Sequence, residues 1–224
     1  MYVPATSLSA APLAPVGIAE TAAANAVTQP GAGAPAVAPS HSELIVRGLQ
    51  LNVLADHRAS VAGRLLEDRR PGAAGQAVEL QALGRWGWHT LSRAHTATGG
   101  RFRIAYTPRA IGSERVRVLF AGDASALPAR RPLGRLNAYR VVEASWYGGG
   151  GSLACGGTLT SSTLGVANKT LPCGTLVTIR YDGRTVRVPV VDRGPYVEGR
   201  EFDLTEATKD ALGFGGVGAV WSTS

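Results

Sequence analysis

An all-β protein made of two successive β units is the fold class this sequence predicts, and three observations predict it. First, apolar residues alternate over short runs: Val78, Leu80 and Ala82; Phe102, Ile104 and Tyr106; Val116, Val118 and Phe120. Period-two runs bounded by Gly and Pro read as half-buried antiparallel strands. Second, residues 176–181 and 184–191 are strand-like and flank Asp182-Gly183. That pair suits the two positive-φ positions of a type I′ hairpin turn. Third, the composition is 45% hydrophobic and 17% charged, ordinary for a folded globular chain, with 29 Gly among 224 residues to supply turns.

In chain order, residues 1–40 hold Ala, Pro, Gly, Thr and Ser with almost no charge. Such a stretch buries too little apolar surface to offset its ordering entropy and is expected to be disordered. Residues 43–123 carry about six or seven strand-like runs at the spacing of a small β-sandwich. Thr98-Gly99-Gly100-Arg101-Phe102 resembles the turn and strand of bacterial Ig-like or carboxypeptidase-regulatory-like domains. Trp86 and Trp88 share one face of their strand, where packing in a core or between domains is the expectation. Arg101, Arg103, Arg115 and Arg117 alternate with apolar residues and are expected on one solvent face. Residues 124–137, with Pro128, Arg130, Arg131, Pro132 and Gly134, read as a linker. After it come a strand over 139–147, a four-glycine loop over 148–151, the hairpin, a short helix over 205–212 ended by Gly213, and a closing strand over 218–223.

Charge and rare residues narrow the function. The net charge is +7, and residues 1–138 hold all of it, with 15 Lys or Arg against eight Asp or Glu. Residues 139–224 balance at eight against eight. An attraction to anionic wall polymers therefore belongs to the N-terminal half. Nucleic acid is not expected, because no recognised binding module accompanies the charge. No apolar run approaches the ~20 residues that cross a bilayer. The first residues do not read as a signal peptide, since Pro4, Pro12 and Pro15 interrupt them and no Lys or Arg leads. His41, His57, His89 and His95 all precede residue 100, so the second unit has no histidine for a nucleophilic triad. Two cysteines alone do not complete a zinc site. The glycine loop is not followed by Gly-Lys-Ser/Thr, so it is no phosphate cradle, and neither metal nor cofactor is expected.

Four short motifs in register carry a resemblance: Ala144-Ser145-Trp146-Tyr147-Gly148, then Thr170-Leu171-Pro172-Cys173-Gly174-Thr175, then Asp192-Arg193-Gly194-Pro195-Tyr196, then Gly199-Arg200-Glu201-Phe202-Asp203-Leu204-Thr205. Over residues 138–224 the chain resembles the RlpA-like (rare lipoprotein A) double-psi β-barrel family, which has relatives among expansin- and barwin-like domains. The resemblance implies a six-stranded double-psi barrel with one short helix, acting on peptidoglycan or a related polysaccharide outside the cell membrane. Secretion or cell-wall association is then expected, although no clear signal peptide is present in the sequence. In an exported protein Cys155 and Cys173 are expected to form a disulfide, with two buried free thiols as the alternative. Ser152-Leu153-Ala154-Cys155 matches a lipoprotein box only superficially and reads as a barrel loop.

The family assigns catalysis to the aspartate of the third motif, here Asp192. Asp203 matches its second aspartate, although Asp203 and Glu206 also stand at capping-box spacing for the helix. A carboxyl group can protonate a glycosidic oxygen and then take the proton of the sugar's 6-hydroxyl, closing a 1,6-anhydro ring. A lytic transglycosylase is thus implied, with Asp192 as acid and base. Tyr147, Asn168, Arg193 and Tyr196 are the candidate substrate-binding residues, and Trp146 is assigned to core packing. Two places depart from the family: Asn168 stands for its usual histidine and Gly157 for a frequent glutamate. These departures keep a second reading open, a non-catalytic, expansin-like module that binds or loosens glycan.

Overall fold

The computed structural model describes residues 38–224. Most of the segment expected to be disordered, residues 1–37, lies outside the described residues. Eight strands come first: β1 (Ser42–Gln50), β2 (Asn52–Leu54), β3 (Ala59–Glu67), β4 (Arg70–Pro71), β5 (Ala77–Gly84), β6 (Gly87–His95), β7 (Arg101–Tyr106) and β8 (Gly112–Phe120). β1, β3, β4 and β7 make a four-stranded antiparallel sheet, whereas β5, β6 and β8 belong to a second, larger sheet. One apolar cluster joins the two, with Val61, Leu65 and Ile104 from the first sheet against Val78, Leu80, Val116, Val118 and Phe120 from the second. The alternation in the sequence is therefore the alternation of burial.

Burial also corrects two expectations. Arg101 and Arg103 lie on β7 of the first sheet, while Arg115 and Arg117 lie on β8 of the second. The four arginines form two separate basic surfaces, because the chain changes sheet between those strands. Trp86 and Trp88 are not packed in a core; they are 90% and 39% exposed. Trp86 sits in the tight turn between β5 and β6, where nothing covers it, and each ring instead carries an arginine, Arg85 and Arg117 respectively.

The expected linker is mostly strand. β9 (Ala129–Tyr147) is one continuous run of 19 residues. Its first half pairs with β8, from Phe120↔Ala129 to Gly112↔Ala138. The register shifts where Val116 meets Gly134 and Arg117 meets Pro132, so Leu133 is the extra residue of a bulge. A bulge tolerates the Pro and Gly that made this segment look like a loop.

The second half of β9 enters a closed barrel with β12 (Val166–Ala167), β13 (Leu176–Tyr181), β14 (Arg184–Asp192), β15 (Phe202–Thr205) and β16 (Gly218–Ser222); the two-residue strands β10 (Gly151–Ser152) and β11 (Thr158–Leu159) pair beside it. The ring runs β9, β15, β12, β14, β13, β16 and back to β9. β9 with β15 and β12 with β14 are parallel, and the other four pairings are antiparallel. This is the six-stranded barrel expected, with the hairpin where the sequence placed it. Asp182 and Gly183 both adopt positive φ, 43° and 79°, as the turn requires. Val177, Ile179, Val188, Val190, Phe202, Leu204 and Val220 fill the interior.

The helix α1 (Glu206–Leu212) follows β15 and ends on Gly213 in the left-handed conformation. Its N-terminus is not held by Asp203, nor by any side-chain cap. The hydroxyls of Thr205 and Thr208 instead donate to the carbonyl of Gly165, and the Gly165 N–H donates back to both. That clasp needs glycine: a Cβ at residue 165 would stand 2.4 Å from Cγ2 of Val191. The clasp fixes the helix against the start of β12, beside the end of β14.

Candidate active site

β14 carries Val188 and Val190 into the core and emerges at Asp192 on the barrel rim. There the parallel neighbour β12 pairs Ala167 with Asp192, and the Asn168 N–H donates to the Asp192 carbonyl at 3.2 Å. The backbone of Asp192 is thus fixed by the ladder. Its carboxylate is fixed separately: Oδ1 accepts the N–H of Ala154 at 2.8 Å and that of Arg193 at 2.9 Å. The second oxygen accepts no hydrogen bond from the described residues.

The Ala154 amide reaches Asp192 because its loop is tied down. Leu153 N–H donates to Gly157 O, Gly156 N–H to Leu153 O, and Cys155 N–H to Val191 O on β14. Cys155 is bonded to Cys173, with Cα atoms 5.5 Å apart. The disulfide expected from the resemblance is therefore present, and it clamps this loop to the turn before β13. Gly157 has φ +86°, a conformation that would strain a glutamate in its place.

Two more groups converge on Asp192. Tyr147 ends β9, and its hydroxyl is buried with no hydrogen-bond partner among the described residues. Burial first, then the negative charge and close approach of the Asp192 carboxylate, and last the charge of Asp203, push this phenol far above its ordinary value. Asp203 lies on β15 between β9 and β12, directly opposite Ser145, whose hydroxyl donates to Asp203 Oδ1. Sequence reasoning missed Ser145 and the Ala154 amide. Ser145 was findable, since it stands two residues before Tyr147 and shares its strand face. The amide carries no side-chain signal.

Other predicted residues have structural work here. Asn168 is 4% exposed, and its amide makes three hydrogen bonds to backbone. Nδ2 donates to Glu201 O at 3.1 Å, and Oδ1 accepts from Thr170 N and Leu171 N at 3.0 and 2.8 Å. Arg193 donates to the carbonyls of Asn168 and Leu171 and to Sγ of Cys173, so it buttresses the turn at the disulfide. Tyr196 is 83% exposed on the loop after Asp192 and is free to meet a ligand. Trp146 is not a core residue. It continues the face of Val142 and Ala144 past the end of the barrel interior, where it is 41% exposed beneath the Lys209 ammonium at 4.3 Å.

The lone hydroxyl of Tyr147 gives two checks. Tyr147→Phe removes a buried, unpartnered polar group and is expected to stabilise the fold at neutral pH by about 1 kcal/mol in denaturant titrations. A loss of similar size would show that the hydroxyl has a partner. Burial raises Tyr139 in the same direction as Tyr147. Above the unfolded tyrosine value of about 10, the folded chain then binds more protons than the unfolded one. Stability is expected to fall as pH rises past that value. Melting curves at about pH 9 and about pH 11 should show the loss, and show it smaller in Tyr147→Phe.

Residues 139–221 match the family model described as lytic transglycolase. Among curated proteins, the chain is 45% identical over 75 residues to the probable endolytic peptidoglycan transglycosylase RlpA of Aquifex aeolicus, covering 31% of this chain and 33% of that one. The probable protein of the same name from Synechocystis sp. is 35% identical over 111 residues, 42% of this chain and 35% of the relative. That of Pseudomonas aeruginosa, an endolytic peptidoglycan transglycosylase RlpA, is 38% identical over 93 residues, 39% and 27% of the two chains. The chain spans about a third of the length of these curated relatives.

Proposed function

We propose, from the RlpA-like double-psi β-barrel that residues 138–224 form, that this rim engages peptidoglycan strands and cleaves them as a lytic transglycosylase. The observation that carries the reading is the Asp192 carboxylate. One oxygen is locked by two backbone amides, and the other is open beside a buried phenol. Held this way, the open oxygen can work on one proton without the carboxylate turning away.

In the first half of the reaction, a proton on that oxygen passes to the glycosidic oxygen as its bond to the sugar C1 breaks. In the second, the 6-hydroxyl oxygen of the same sugar bonds to C1 and its proton returns to Asp192. No water is consumed, and the product ends in a 1,6-anhydro ring. One carboxylate serves both steps, unlike the paired carboxylates of most glycosidases. Tyr147 forms the near wall beside the open oxygen, Asp203 with Ser145 shapes the far wall, and Tyr196 offers a ring for the sugar face. Work of this kind places the protein outside the cell membrane, and the Cys155–Cys173 disulfide suits an oxidising compartment.

The second reading is a barrel that binds glycan without cutting it. It is favoured by Asn168, which replaces the family's histidine and has its amide tied to three backbone groups. Incubation with purified peptidoglycan and mass analysis of the soluble fraction separates the two. Anhydro-ended muropeptides support the transglycosylase, whereas co-sedimentation without products supports the binder.

A further inference from the structure

The other half of the molecule holds a site that the barrel chemistry does not use. Where β8 meets β9 on the outer face of their sheet, Arg115 and Arg135 are direct cross-strand partners. Arg117 stands opposite Pro132, two residues from Arg130. With Trp88 these four arginines line a cavity of about 470 Å³. Like charges placed opposite each other across a ladder destabilise a sheet. No carboxylate of the described residues lies within ion-pairing distance of any of the four. Glu79, reached through Gln81, is paired with Arg93 instead.

Two of the guanidiniums are already oriented. Arg117 lies 4.1 Å above the Trp88 ring and donates Nε–H to Gln81 Oε1 at 2.9 Å. Arg135 donates to the carbonyl of Ser113 at 2.8 Å and to its hydroxyl at 3.3 Å. Arg115 and Arg130 are exposed and make no side-chain hydrogen bond within the described residues. A concave surface of one charge focuses its field on a counter-ion, and planar guanidinium forks match phosphate oxygens in pairs. The charge also continues toward the barrel: burial first, and then the charge of Arg135, lower the pKa of Arg187 on β14.

We propose that this arginine groove binds a phosphodiester-linked polymer of the cell wall. The ligand class follows from four guanidiniums that lack an internal anion. Its source rests on the wall-directed reading of the barrel. A nucleic acid shares the phosphodiester, but single strands are held chiefly by stacking bases on open aromatic rings. Here Arg117 covers the Trp88 ring.

The full chain should be titrated with purified poly(glycerol phosphate), with single-stranded DNA of equal charge as the comparison. Wild type is expected to bind the polymer, more weakly as salt rises. R115E/R130E should bind at least about tenfold more weakly, while R101E/R103E on the other sheet stays within about twofold. Melting temperatures check folding, and R115Q/R130Q repeats the test if charge reversal unfolds the chain. The proposal fails if wild type does not bind, or if both double variants weaken equally, which is diffuse charge attraction. Tighter binding of DNA, lost in the same variant, would make nucleic acid the occupant and overturn it too. Muropeptide release from polymer-free peptidoglycan is read separately and is expected unchanged in R115E/R130E. An inactive barrel therefore leaves the binding result interpretable.

Discussion

Asp192→Asn is expected to abolish release of anhydro-ended muropeptides, by the ~10²–10⁴-fold typical of losing general acid–base catalysis. Asparagine has nearly the same volume, and its amide oxygen can accept from Ala154 and Arg193 as Oδ1 does now. The loop should keep its place, and glycan binding should be nearly intact. What is lost is the proton that must leave and return at the open oxygen. Release at an unchanged rate from Asp192→Asn would sink the catalytic assignment. Binding with no release from either protein would favour the glycan-binding module. Asn168→His does not restore a family centre by simple exchange, because imidazole cannot satisfy Glu201 O, Thr170 N and Leu171 N together. It is expected to lower stability before it adds any proton shuttle.

Opening the Cys155–Cys173 bond should have the second large effect. The two residues are 18 apart in sequence, and closing a loop of that size is worth about 3 kcal/mol by the chain-entropy estimate. For a chain of this length that is a fall of roughly 6–12 °C in melting temperature. The bond also holds the Ala154 amide on Asp192 and the turn that Arg193 braces. Reduction should therefore slow any cleavage even at temperatures where the fold persists. Calorimetry with and without reductant, beside Cys155→Ser/Cys173→Ser, checks both effects. An unchanged melting temperature would mean that the hydrogen bonds alone hold the loop.

Much of this was legible in the sequence, for identifiable reasons. The hairpin about Asp182-Gly183 was readable because its turn chemistry is local and its strands alternate cleanly. Asp192 was readable because the end of an apolar strand meets Gly-Pro there. β9 was hidden by Pro132 and Gly134, whose tolerance depends on a bulge opposite β8, a partner distant in sequence. Asn168 looked like a ligand group because its type suits sugar hydroxyls; only the fold reveals three backbone groups that consume it. Trp146 kept the alternation of its strand, but alternation does not tell where the interior ends. The split of the four arginines depended on which sheet each strand joined, which spacing alone does not encode.

β9 has a mechanical consequence. At ~3.3 Å per residue its 19 residues measure at most about 60 Å from end to end, paired in ladders along nearly all of that length, with β8 over residues 129–138 and with β16 and then β15 over residues 140–147. Such a strut does not swivel as a flexible tether would. A polymer seated on the arginines and a glycan at the barrel rim would meet the protein at a set interval, like two marks on a ruler. Tension between them would load the ladders in shear rather than uncoil slack chain. Residues inserted into β9 would not lengthen the interval smoothly; they would throw both ladders out of register at once.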